Sequence, residues 1–102
     1  MQIIKKLCKM IDEELNDAEK YANCALNHKD SDHELADVFY SLSGEEMEHM
    51  EQLHTQVVRL IKQRKAEKGD IPPVMQELYN YLHEQQIEHA AEVNVLRSMY
   101  RG

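Results

Sequence analysis

The chain has 102 residues and a formal net charge of -7 at neutral pH. This length fits one domain, and the negative charge argues against a nucleic-acid backbone or an anionic membrane as the main partner. The chain has no Trp, three Gly and two Pro, which favours a few long helices and argues against an all-β fold.

The amino-terminal residues predict a helix that begins at once. Residues 1–6 form the start of an amphipathic pattern and lack the apolar run and small-residue cleavage site of a secretory signal. No stretch reaches the roughly 20 apolar residues needed to span a bilayer. We therefore expect a soluble, cytoplasmic protein without a membrane partner.

The first predicted helix runs from about residue 2 to residue 28. Its apolar positions alternate in steps of four and three, namely Ile4, Cys8, Ile11, Leu15, Ala18, Ala22 and Ala25. This seven-residue repeat is typical of long helices packed nearly side by side. A flanking row contains Leu7, Glu14 and Tyr21, which places Glu14 at the edge of the buried face.

The second predicted helix runs from about residue 32 to residue 66, after a polar break. Its apolar row consists of Leu35, Phe39, Leu42, Leu53, Val57 and Leu60. Between Leu42 and Leu53 the row falls on Glu46 and His49, which lie one turn apart on one face. If this pair points into the core, it needs hydrogen-bonding partners or a metal, because isolated buried charges are costly. Gly44 indicates a close helix approach or a bulge beside a site.

The third predicted helix runs from about residue 73 to residue 100, after a breaker that contains Gly69 and two prolines. One row on it is apolar at both ends and polar in the middle, at Gln85, His89 and Glu92, with Glu88 beside them. The three patterns together predict a single all-α domain, an up-down-up bundle of three long antiparallel helices. Polar centres leave faces unpaired, so we expect oligomerisation to complete the bundle.

The polar positions supply donors that suit iron, manganese or zinc. Four-helix di-iron centres take one Glu from each of two helices and a Glu-x-x-His from each of the other two. Glu46 to His49 has this spacing, and Glu14 precedes Tyr21 by seven residues. On these residues, the first 65 positions resemble one half of a ferritin-like or rubrerythrin-like protein.

The resemblance implies that Glu14, Glu46 and His49 bind metal and that Tyr21 orients a carboxylate through its hydroxyl group. It implies iron as the first candidate, with Fe(II) reacting with dioxygen or peroxide. Oxidase, peroxidase and storage roles all use such a site, so the resemblance does not choose among them.

The chain also departs from that pattern, because a full ferritin-like protein has four helices and a second ligand set. One remedy is a dimer in which each chain gives Glu14, Glu46 and His49 across a two-fold axis, as in short encapsulated ferritins. The other is a site within one chain, with one metal, to which the third helix adds Glu88, His89 or Glu92.

Two other interpretations need no chemistry. Glu46 and His49 can face solvent or pair with each other in a wet groove, which leaves a non-catalytic helical interaction or assembly module. An intermediate interpretation is a protein whose metal is purely structural and only joins the subunits of an oligomer. The residue pattern alone does not separate these alternatives.

Overall fold

The computed structural model describes residues 2–101, with only the backbone at residue 101, and consists of three helices. They are α1 (Gln2–His28), α2 (His33–Lys68) and α3 (Pro73–Arg101). Successive helices run antiparallel and form a rod with extents of 55 × 18 × 18 Å. The predicted all-α bundle of three long antiparallel helices is confirmed. None of the described helices is long and apolar enough to cross a membrane.

Local capping explains where α2 begins and ends. The Asp32 carboxylate accepts a hydrogen bond from the backbone N–H of Leu35 at 3.1 Å, so the helix begins at His33, one residue later than predicted. At the other end Gly69 has φ 81° and donates its backbone N–H to the carbonyl of Lys65. Only glycine adopts this left-handed conformation without strain.

The buried row of α1 is the row that the seven-residue repeat predicts. Its buried members are Ile4, Ile11, Leu15, Ala18, Ala22 and Ala25, each 2% exposed or less. Cys8 on the same row is half-buried. Three of these residues meet Val57 of α2 and Tyr79 of α3 in one hydrophobic cluster. Helix α1 is therefore the central helix of the core, and α3 packs less extensively on it than α2 does.

The buried face of α2 follows the predicted row in the second half of the helix and departs from it in the first. Val57 is buried, and Leu53 and Leu60 pack against the core cluster, as predicted. Ala36 and Ser43 are fully buried, whereas Leu35 is 38% exposed. The Ser43 hydroxyl donates a hydrogen bond to the Ala18 carbonyl at 2.8 Å, so the two backbones approach closely here and select small side chains. Glu46 is half-buried, whereas the His49 side chain is 54% exposed, so neither residue lies fully within the core. They lie at its edge.

The buried face of α3 also differs from the predicted row. Tyr79, Gln86 and Val93, spaced by seven, are buried, whereas Gln85 and Glu92 are exposed. The Gln86 amide donates to the Cys8 carbonyl and the Asp12 carboxylate of α1, both at 3.3 Å. The predicted row is split: Met75, Leu82, His89 and Leu96 are half-buried, whereas its other members are exposed. The outer face of α3 carries exposed apolar side chains, namely Val74, Leu78, Tyr81, Val95 and Met99.

Arg97 joins the end of α3 to the beginning of α2 and accounts for Gly44. Its Nη1 donates to the Tyr40 carbonyl at 2.8 Å, and its guanidinium carbon lies 4.1 Å from the centre of the Tyr40 ring. A Cβ at Gly44 would stand only 3.0 Å from Nη2 of Arg97. The close approach at Gly44 is thus made by a side chain of α3 that crosses α2.

Candidate metal centre

Three of the predicted ligands come together at the edge of the α1–α2 interface. Nδ1 of His49 lies 3.4 Å from Oε2 of Glu14 and 3.7 Å from Oε1 of Glu46. One donor atom from each residue can be chosen so that all three lie within 4.8 Å of one another. Among residues 2–100 this is the one group of three or more acidic, His or Cys side chains with that property.

The helix geometry explains this convergence. Glu46 and His49 are three residues apart and therefore lie on the same side of α2, one turn apart. Glu14 faces them from α1, one turn from Ala18, to which Ser43 of α2 is hydrogen-bonded. The short Ser43–Ala18 contact thus fixes the register that brings the two carboxylates together.

One oxygen of this group is buried without a hydrogen-bond partner. Oε2 of Glu14 is inaccessible to solvent and accepts no hydrogen bond within the described residues; Nδ1 of His49 lies 3.4 Å from it. A buried acceptor without a donor is costly. A cation would satisfy it, and a carboxylate–carboxylate–imidazole set fits iron, manganese or zinc.

The surroundings of Glu46 disfavour ionisation of its carboxyl group. Hydrogen bonding between the Glu46 carboxyl group and Glu14, together with burial, raises the pKa of Glu46 to about 7. The negative charges of Glu14 and Asp17 act in the same direction, whereas His49 lowers the pKa of Glu46. Two carboxylates this close repel each other when both are ionised, and a divalent cation would remove that repulsion.

The group is open to the surface on one side. The side chains of Glu14 and Glu46 are 24% and 19% exposed, whereas that of His49 is 54% exposed. Glu14 and His49 line an open groove of about 640 Å³, together with Met10, Leu53 and three polar residues of α2. A small ligand or a second protein chain can therefore reach the group from this groove.

Tyr21 contacts an aromatic ring of α2. Its ring stacks on Phe39 of α2 with the ring centres 6.3 Å apart. Within residues 2–100 no hydrogen bond joins its hydroxyl group to Glu14, Glu46 or His49. Its role in orienting a carboxylate stays a prediction.

The structure does not bring the candidate third-helix ligands to this group. Nε2 of His89 lies 3.5 Å from the Glu19 carboxylate of α1. Glu88, His89 and Glu92 line a separate groove of about 320 Å³ with Asp12 and Gln85. A mononuclear site that combines these residues with Glu14 would need a different packing of α3.

The sequence prediction also passed over a second Glu-x-x-His. Glu51-Gln52-Leu53-His54 follows the first motif by five residues. The gap in the apolar row indicates residues 46 and 49, whereas His54 is half-buried beside an unbroken part of that row. A count of all Glu-x-x-His spacings is the signal that would have found it.

No protein-family model matches this chain, and its comparison with curated proteins and with solved structures gives no match either.

Proposed function

We propose that the chain is a ferritin-like metal-binding protein whose ligands are Glu14, Glu46 and His49. The observation that carries the proposal is the convergence of these three side chains from two helices, with Oε2 of Glu14 buried and without a hydrogen bond. Neither feature is needed to hold α1 on α2, because the Ala-rich row and the Ser43 hydrogen bond already do so.

Each ligand has a distinct part in this proposal. Glu14 offers a buried oxygen from the side of α1, and Glu46, whose pKa is raised to about 7, releases its proton to solvent when the cation binds. His49 adds a nitrogen donor, which favours a transition metal over Ca²⁺ or Mg²⁺. Because His49 is the most exposed of the three, it closes the site last.

Iron is the metal that the resemblance implies, with manganese or zinc as the other candidates. Bound iron supplies one-electron chemistry with dioxygen or peroxide. The residues of this chain would hold Fe(II) in an anionic pocket and leave the groove side open for the oxidant. Ferroxidase-like, peroxidase-like and storage roles share these requirements.

We further propose that two copies complete the site, since each chain gives only three ligands. The exposure of His49 and of the groove beside it supports a pairing across this face, which would bring two ligand sets together. The rod shape and the exposed apolar side chains favour oligomerisation in general. Within the pair, Tyr21 retains the predicted role of orienting a carboxylate.

The test is metal retention after aerobic incubation with Fe(II) and desalting. We compare the wild type with a Glu46→Gln/His49→Asn double variant, which keeps the shape of both side chains. We expect the wild type to retain about one iron per chain, or half that for a shared mononuclear site, and the double variant to retain none. Subunit number follows from light scattering on the same samples.

The matched control is Glu45→Gln/Glu48→Gln, which removes two exposed acidic groups from the same turns of α2. We expect it to retain iron as the wild type does, because its targets lie outside the group. If all three proteins retain the same amount of iron, or none of them retains any, the proposed site is wrong.

A second candidate, a helical assembly module without chemistry, is favoured by the outer face of α3. There Val74, Tyr81 and Val95 are more than half exposed, which suits burial against another chain. In this case the metal-ligand variants would keep the oligomeric state and all other properties of the wild type. Loss of the oligomer in the Glu46→Gln/His49→Asn variant would contradict it.

A further inference from the structure

A second group of possible ligands lies between α2 and α3, on the side away from the first. The rings of His54 and His83 are stacked, with their centres 4.8 Å apart and their planes 10° from parallel. The two residues come from different helices and are 29 positions apart in the chain. Both rings line each of two cavities, of about 380 and 160 Å³.

These two imidazoles differ from every other histidine of the chain. Of the six histidines, four have a polar partner: His28 bonds to a carbonyl, and His33, His49 and His89 lie beside carboxylates. Within residues 2–100 no hydrogen bond or ion pair joins His54 or His83 to another residue. Their ring nitrogens therefore have unused capacity at the boundary of two cavities.

A carboxylate lies within reach of the same cavity. Glu51 precedes His54 by one helical turn and lines the larger cavity together with both rings. Its side chain is exposed, and its carboxylate has no hydrogen bond or ion pair within the described residues. Two imidazoles and one carboxylate form a donor set that suits borderline divalent metals such as Zn²⁺, Ni²⁺ and Cu²⁺.

We propose that Glu51, His54 and His83 form a second metal site that binds a borderline divalent cation and bridges α2 to α3. The two rings turn about their Cβ–Cγ bonds to direct one nitrogen each toward the ion, and Glu51 swings in from the surface. The site does not include Glu14, Glu46 or His49, so its test is independent of the function proposed above.

The environment of the His54 ring suits this role. Burial, and to a smaller extent the charge of His83, lowers the pKa of His54 from its ordinary value of 6.5. His54 is therefore neutral at pH 7, as a metal ligand must be. The bridge would join the two helices that pack least extensively on each other, so occupancy should raise the melting temperature.

The experiment uses the full chain in a Glu46→Gln/His49→Asn background, which removes the first site. Zn²⁺ is added at pH 7.5, and affinity is measured by competition with a chromogenic chelator. We expect one Zn²⁺ per chain and a higher melting temperature on binding. Adding His83→Asn should weaken binding by more than about tenfold, since loss of even an outer partner of a metal ligand costs that much.

The matched control is His33→Asn, which removes an exposed imidazole that pairs with Asp37 at the far end of α2. It should leave Zn²⁺ affinity unchanged. Glu51→Gln is the second test variant; it alters an exposed side chain, keeps the fold, and should weaken binding in the same direction. Circular dichroism verifies the helix content of every variant.

Two results would overturn the inference. One is that the background variant retains no Zn²⁺, which leaves the two rings as a stacked pair only. The other is that His83→Asn and His33→Asn bind Zn²⁺ equally well, which would assign the binding to scattered surface acids.

Discussion

Gly44→Ala tests the packing of α3 on α2 at a single atom. In the middle of an exposed helix this substitution stabilises by about 1 kcal/mol, because Ala is the better helix former. Here the added Cβ meets Nη2 of Arg97 at 3.0 Å. The guanidinium group is held on Tyr40 by a hydrogen bond and by the ring beneath it, so it cannot yield without loosening both.

The magnitude follows from those two contacts. A hydrogen bond from a charged donor contributes about 1.5–3 kcal/mol, and a partly exposed cation–π contact about 0.5–1 kcal/mol. Displacing the guanidinium group loses much of this sum, which exceeds the gain in helix propensity. We expect Gly44→Ala to lower the free energy of unfolding by about 1 kcal/mol in the wild type and to raise it by about 1 kcal/mol when Arg97 is Ala.

The assay is urea unfolding followed by circular dichroism for the four proteins of this double-mutant cycle. Ser41→Ala, at an exposed position of the same helix, is the control, and it should have the same effect in both backgrounds. If Gly44→Ala stabilises the wild type and the Arg97→Ala variant by the same amount, Arg97 does not lie over Gly44 and the reasoning fails.

Three further predictions concern the core and the acidic pair. Leu15→Ala should cost about 2–5 kcal/mol in urea unfolding, because this side chain is 0% exposed; a cost under 1 kcal/mol would place it outside the core. Ser43→Ala should cost about 1 kcal/mol through the lost hydrogen bond to Ala18, and no change would mean that the bond contributes nothing. The pKa of Glu46 is raised from 4.5 to about 7, so its contribution is full below pH 4.5 and lost as pH rises through 7. Stability of the chelator-treated protein should therefore fall from about pH 5 to pH 8, less steeply in Glu46→Gln; equal slopes would contradict the shift.

The sequence predicts α1 well because its buried row is distinct. Large apolar residues at one end and alanines at the other leave no competing apolar face, so the repeat identifies the buried side directly. The polar break and the Gly-Pro breaker locate both loops, because these residues disfavour helix for reasons of backbone geometry.

The buried faces of α2 and α3 are harder to predict because burial there is decided by contact with α1. Ala36 and Ser43 are buried because the Ala-rich end of α1 approaches closely, and a search for large apolar residues selects Leu35 instead. On α3 a buried Gln86 is acceptable because α1 offers it two oxygen acceptors. Such acceptors belong to the partner helix and are not visible in the pattern of α3.

The sequence pattern nevertheless indicates Glu14, Glu46 and His49 as a group, and they converge at the edge of the core instead of at its centre. This difference in depth follows from helix geometry. A residue at the edge of a buried face has nearly the same angular position around the helix axis as one at its centre. Periodicity therefore identifies the buried side of the helix but does not show how deeply each side chain is buried. The distances at the site depend on the Ser43 contact, which no pattern in α2 reveals.

The unequal packing of the three helices implies that the bundle does not open as one unit. Because α3 packs on α1 less extensively than α2 does and contacts α2 least of all, we expect the α1–α2 hairpin to retain slow amide hydrogen exchange after α3 has detached. The loop at Gly69 would be the hinge of this sub-global opening. A detached α3 exposes the face of α1 that a second chain's α3 fits equally well, so exchange of this helix between chains is a route to a dimer.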